Sequence, residues 1–240
     1  MTVQSDTFFS SRQKTKNKKA RKVYALLDEN RFKLDPAFVL KFIGLQPNWG
    51  YGLLSYVTYK RTYARRVTKA QLTQEAQLYL GLSADQATKL AISSKQTTEE
   101  FWQTVTRVCE GVSSVIKQHI RDTGQPWSDE EEQGHAQEMF QRIWDFKFTP
   151  PGRGLWGMGT EAMELKGGGI LNNCGFVSTE RIRENFSEPF TILMDYSMLG
   201  VGMGFDVLGA GTVTIHTPVR TVKPYVVADT REGWIDAVKT

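Results

Sequence analysis

The 240-residue sequence has only two cysteines and three histidines, and the shortage excludes whole classes of protein. Cys109 and Cys174 cannot build the dense disulfide framework of a small secreted domain. Together with His119, His135 and His216 they lack the spacing of a zinc site, so no metal is expected. Uninterrupted apolar runs of the ~20 residues that span a bilayer are missing as well. The opening MTVQSDTFFSSRQK has no apolar stretch of the signal-peptide kind. A cytoplasmic chain with reduced thiols, and without a membrane, is the expectation.

Acidic residues are absent from SRQKTKNKKARK (11–22), which carries seven Lys or Arg. Without those seven the net charge of +4 becomes −3, so the basic character belongs to an arm. Such a block is either a solvated, disordered segment or a contact for nucleic acid. Residues 1–35 are read as this arm.

What is present suffices for a packed core: 40% of the residues are apolar and 11% aromatic. Residues 36–150 read as helical. VYALLDEN (23–30) is weakly helical. Asp35 caps a short helix with Pro36 at its first position and Phe38, Val39, Phe42 and Ile43 on its apolar face. QLTQEAQLYLGL (71–82) forms another. Thr97 with Glu100, and Ser128 with Glu131, are capping boxes that open two long helices. Phe101, Val105, Val108, Val112 and Val115 make the stripe of the first, where Cys109 is a small core residue. Ala136, Met139, Phe140, Ile143 and Trp144 line the second, and TPP (149–151) stops it.

From residue 151 to 240 glycine becomes frequent and strands begin. ILNNCGFVST (170–179) reads as a strand with polar residues at its start, and PFTILMDYSML (189–199) as a helix ended by Gly200. GMGFDV (202–207) and GTVTIHTPV (211–219) look extended. Asp229 and Glu232 cap a last helix bearing Trp234, Ile235 and Val238. Helices followed by alternating strand and helix indicate an α/β domain.

Several stretches invite functional readings. YVTYKRTYARR (56–66) interleaves rings with cations, as a single-strand binding surface does, or is a strand or turn with a solvated basic face. That leaves a non-catalytic nucleic-acid-binding module, using the arm and YKRTYARR, as an alternative function. GVGMG (200–204) follows a helix and precedes a strand, the reverse of a dinucleotide fingerprint. It allows close backbone approach to a flat ligand, or makes a bulge. The glycines at 167–169 lack the Lys-Ser/Thr of a phosphate loop and read as a flexible connection. Asn172 and Asn173 could orient sugar hydroxyls or satisfy a strand start. Cys174 is either a small buried residue or a functional thiol.

Six segments together resemble a known family: YVTYKRTYAR (56–65), FWQTVTRVCEG (101–111), TPPGRGLWGMGT (149–160), LNNCGFV (171–177), GVGMGFDV (200–207) and DTREGW (229–234). Their order and spacing over residues 37–240 are similar to the amino-terminal part of adenosylcobalamin-dependent, class II ribonucleotide reductase, nearest the ribonucleoside-triphosphate reductases. The resemblance implies helices preceding a ten-stranded α/β barrel, of which this chain holds the first strands and helices. It implies adenosylcobalamin chemistry, with the cofactor bound further along the family's chain. A thiyl radical there takes the 3′-hydrogen of a ribonucleoside di- or triphosphate, and two cysteines supply a proton and two electrons. Cys174 matches the first of that reducing pair, and Asn172, Asn173, Val201 and Gly202 match the substrate lining. Ser187, Glu188, Pro189, Thr191, Asp195 and Met198 fall, by region, where the family helps bind a deoxynucleotide effector. A dithiol reductant such as thioredoxin and a complementary carboxy-terminal chain or continuation are the implied partners. The radical cysteine and second reducing cysteine have no match here, and the chain alone is expected to be inactive.

Overall fold

A computed structural model describes residues 31–217 and 224–239. The arm and VYALLDEN (23–30) lie outside them. Contacts divide the chain into two compact units, one ending at Leu165 and one running Lys166–Thr240.

The described part of the first unit is helical: α1 (Pro36–Leu40), α2 (Leu53–Thr62), α3 (Lys69–Leu80), α4 (Ala84–Ser93), α5 (Phe101–Asp122), α6 (Asp129–Trp144) and α7 (Gly152–Gly157), with α8 (Glu161–Lys166) at the boundary. The Asp35 side chain accepts from the Ala37 amide and Pro36 opens α1, as its sequence dictates. Capping boxes on Thr68 and Ser83 start α3 and α4.

Several boundaries differ from the sequence reading. YVTYKRTYARR is mostly the helix α2 rather than a strand or turn; its rings and cations are distributed around the helix and leave no apolar stripe to read. The box of α5 is Glu100 with Gln103, one turn later than Thr97 with Glu100. At α6 Ser128 accepts from the Glu131 amide as expected. TPP is not what stops α6, which already ends at Trp144. There Phe146 takes a left-handed φ of 54° and Lys147 N donates to Arg142 O at 2.9 Å. Stacking of Phe146 on Phe101, 5.3 Å between centroids, offsets the strain of a non-glycine residue in that conformation.

The core is an aromatic cluster in which α5 and α6 meet α1 and the 31–35 segment. Phe32, Phe42, Phe101, Trp102, Phe140 and Trp144 are buried with Val105, Val108 and Cys109. Beyond Cys109 the buried face of α5 turns polar, so Val115 is exposed where an apolar stripe was expected. Glu110 accepts from the Leu34 amide at 3.2 Å and Ser114 from the Phe32 amide at 3.1 Å. Ser113 donates to Glu132, and Lys117 reaches Asp129 at 2.8 Å. Glu110 and Ser114 are buried because the 31–35 segment has backbone amides to satisfy, and Ser113 and Lys117 because α6 supplies carboxylates to meet them.

In the second unit a 3-10 turn (Gly168–Leu171) leads into β1 (Cys174–Val177). Then come α9 (Glu188–Met198), β2 (Gly202–Phe205) and α10 (Arg231–Lys239). β1 and β2 are parallel, joined by the crossover helix α9, which packs on both. The triple glycine enters the 3-10 turn: Gly167 has φ 78°, and a Cβ on Gly169 would press Leu199 at 3.1 Å. Residues 211–217 form a turn and irregular chain instead of a strand, and 218–219 lie outside the described residues. Thr230, not Asp229, caps α10, its hydroxyl accepting from Gly233 N at 3.0 Å. This much is a helical unit followed by a small mixed α/β unit.

Candidate functional site

The strands β1 and β2 run side by side in the register Cys174↔Gly202, Gly175↔Met203, Phe176↔Gly204, Val177↔Phe205. Their first rung therefore sets the thiol of one against the bare backbone of the other. Gly202 N donates to Asn173 O at 2.9 Å, which extends the ladder one residue before Cys174. Val201 N donates to Tyr196 O at 3.0 Å and anchors β2 to the end of α9. Asn172, Asn173, Val201 and Gly202 are thus brought together with Cys174 at one end of the strand pair.

Their exposures differ in a useful way. Cys174 is exposed, as are Asn172, Asn173 and Gly202, whereas Val201 is buried. Cys109, by contrast, is 0% exposed in the helical core, where burial pushes its thiol far above the ordinary range. A thiol that must exchange protons and electrons needs access, so Cys174 alone of the two is placed for it.

Glycine sets the tightness of the pair. A Cβ on Gly175 would stand 2.6 Å from Met203 Sδ. At Gly202 the nearest atom to an added Cβ is Asn173 O at 3.6 Å, an ordinary contact, so that glycine leaves room beside Cys174 rather than preventing a collision.

The other end of the strands is tied by a side-chain knot. Asp206 accepts from Thr179 N at 2.8 Å, from Thr179 Oγ1 at 2.6 Å and from Leu208 N at 3.2 Å. Thr179 Oγ1 in turn accepts from Gly209 N at 2.9 Å. The hydroxyl donors of Thr179 and Ser178, with these amides, hold the Asp206 carboxyl well below the usual carboxylate range. Sequence reasoning missed this knot, because its members are 27 residues apart and carry no local pattern.

The helix α9 holds the remaining candidates. Pro189 and Thr191 are buried, and Thr191 Oγ1 donates to Glu188 O at 2.9 Å. Ser187 and Glu188 lie at its start and Met198 is exposed at its end. Asp195 pairs with Arg231 of α10 at 2.9 Å. Among the described residues no group of three His, Cys, Asp or Glu could hold a metal, and no helix is long and apolar enough to cross a membrane.

Comparison with known proteins adds to this geometry. A family model described as the ribonucleotide reductase alpha domain matches residues 88–160. The chain is 37% identical over 218 residues to an adenosylcobalamin-dependent ribonucleoside-triphosphate reductase of Euglena gracilis. It is 34% identical over 226 residues to a probable enzyme of the same name from Dictyostelium discoideum. These matches take in 89% and 87% of this chain but 26% of each relative, so the chain spans about a quarter of their length. The fold is similar to a crystal structure of a B-12 dependent (class II) ribonucleotide reductase, with TM-score 0.56 and 26% identity. That match covers 86% of this chain and 32% of the other.

Proposed function

We propose, for a chain that belongs to the ribonucleotide reductase family and is similar to its adenosylcobalamin-dependent branch, that it furnishes one reducing thiol and part of the nucleotide site of such an enzyme. Cys174 donates a proton to the departing 2′-hydroxyl, which leaves as water. The resulting thiolate and a second thiol then form a disulfide, and the two electrons released, with the proton of the second thiol, convert the sugar carbon to C–H. An external dithiol such as thioredoxin restores the pair. Because the other cysteine of this sequence is in the helical core, the second thiol and the thiyl radical that takes and returns the 3′-hydrogen come from protein outside these 240 residues.

Asn172 and Asn173 are read as ligands of sugar hydroxyls, and the backbone of Val201 and Gly202 as the wall beside them. The start of α9, with Asp195 and Met198, is read as part of a deoxynucleotide effector site. In this reading β1 and β2 are the first strands of a ten-stranded barrel, and the substrate is a ribonucleoside di- or triphosphate. Adenosylcobalamin supplies radical chemistry to the relatives named for it. The cofactor itself is read as bound further along the chain of such an enzyme.

The observation that carries the proposal is the exposed Cys174 thiol set opposite a side-chain-free residue on a parallel neighbour strand. Reconstitution tests it. Deoxynucleotide should form only when this chain is combined with a complementary carboxy-terminal chain, adenosylcobalamin, a ribonucleotide and dithiol. Robust turnover by the 240-residue chain alone defeats the proposal.

A further inference from the structure

A cleft of about 220 Å3 opens in the first unit where α3, α4 and α5 meet, and nothing in the reductase reading uses it. Its walls are aliphatic, from Leu72, Leu80 and Leu90 among others, with Tyr79 and Trp102 set edge to face at 5.6 Å. A dry cavity of ~150 Å3 already accepts benzene, so this one has room for a ring and a short substituent.

Glu75, Tyr79, Ser94 and Gln96 interrupt the apolar wall, and the first two, four residues apart, lie on one face of α3. Gln103 fixes the carboxylate. Its Oε1 accepts from the Glu100 amide and from Gln96 Nε2, so its Nε2 must donate, and does so to Glu75 Oε2 at 2.6 Å. Glu75 Oε1 and the Tyr79 hydroxyl make no hydrogen bond to another described residue, and neither is sealed from solvent, so both are open to a molecule in the cleft.

The charges around Glu75 are otherwise balanced. Glu99 is paired with Arg107 at 2.7 Å and Glu110 with Lys33 at 2.9 Å. Glu75 is the carboxylate of this group without a cation. Burial, with help from Glu99 and Glu110 and against Gln103 and Lys33, pushes its carboxyl up to about 7. An ammonium ion against Glu75 Oε1 supplies the missing partner, and aromatic rings beside it suit a cation.

We propose that this cleft is a binding site for a small organic cation, a protonated amine on one ring or short aliphatic chain. The ammonium group pairs with Glu75 and donates to the Tyr79 hydroxyl oxygen, while the carbon body fills the space between Leu72, Leu90 and Trp102. Occupancy favours ionised Glu75, so binding strengthens as pH rises from 6 to 8 while the amine stays charged.

Calorimetric or NMR titration of the full 240-residue chain with benzylammonium, benzyl alcohol and benzoate tests this. Benzylammonium should bind at least tenfold tighter than either of the others at pH 8, and several-fold more weakly at pH 6. Glu75→Gln should lose that preference and its pH dependence. Leu90→Trp, which fills the cleft and leaves Glu75 intact, should block all three probes even if the first variant folds poorly. Absence of saturable binding, equal binding of the three probes, or a Glu75→Gln affinity within twofold of the original overturns the proposal.

Discussion

Cys174 and Gly202 stand opposite each other on the first rung of the parallel strand pair, and the Gly202 amide bonds to the residue before the cysteine. A thiol so placed has its backbone held on one side and its Sγ free to reach outward. In a complete enzyme assayed with a dithiol reductant, Cys174→Ser should abolish multiple turnover. Cys109→Ser, a packing change in the helical core, should leave turnover within a few-fold and lower stability by roughly 1 kcal/mol. Normal multiple turnover of the Cys174 variant removes the thiol from the mechanism.

Gly202→Ala separates room from fold. The added methyl meets only an ordinary 3.6 Å contact, so the melting temperature should stay within about 2 °C. The same methyl intrudes beside the thiol, and kcat/KM should fall about tenfold or more in the complete enzyme. An unchanged kcat/KM would mean that no substrate approaches this backbone.

Gly111 on α5 presents the opposite case. A Cβ there would lie 2.6 Å from the backbone of Gly159, so helix and turn touch without side chains between them. Gly111→Ala should destabilise by about 1–3 kcal/mol despite the better helix propensity of alanine, as overpacked sites do. Urea unfolding measures it, and a stabilised variant would show that the turn at Gly159 yields freely.

Asp206 predicts a response to acid. Its folded carboxyl is held below the ordinary value, so the folded state binds protons less readily than the unfolded one. The knot therefore contributes its full stability above the unfolded value near 3.9, and loses it as pH falls through the lower folded value. Urea midpoints of the original chain and of Asp206→Asn should differ most at pH 6 and converge towards pH 2. A difference independent of pH would mean that the charge of Asp206 contributes nothing.

The basic arm offers a simpler test. It carries seven cations in residues 11–22 and no acid, a composition with little to bury. Removing residues 1–22 from a complete enzyme should leave the rate within tenfold. A larger loss, more than ~1.4 kcal/mol of barrier, gives the arm a part in the reaction.

Legibility in the sequence followed local chemistry. Asp35–Pro36 and Ser128 announced helix starts because a cap acts within three residues, and the bonds are there. The strands around Cys174 and Gly202 were readable as short apolar runs between glycines. Their mutual register was not, since parallel pairing joins residues 28 apart through a crossover helix. The second half of α5 misled for a related reason. Glu110, Ser113, Ser114 and Lys117 are buried by partners from the 31–35 segment and α6, while Val115 faces solvent. No periodicity of apolar residues can reveal a face that is buried by polar bonds. The α2 segment failed because its tyrosines and cations give no stripe at all. Thr179 and Asp206 belong with the register: they meet only once the strands have paired.

Among the described residues β1 and β2 have no strand partner but each other, so each strand keeps one edge of open amides and carbonyls. Phe176, Phe205, Val207 and Leu208 are exposed on and beside this ribbon. Such an edge is a template that any extended segment can complete, its own copies included. At rising concentration the isolated chain should therefore associate edge to edge, detectable as a light-scattering increase that a Lys substitution at Phe176 suppresses. The same templating makes the pair a nucleus on which further strands can add one by one, so order of assembly, and not only final stability, is written into where these two strands lie in the chain.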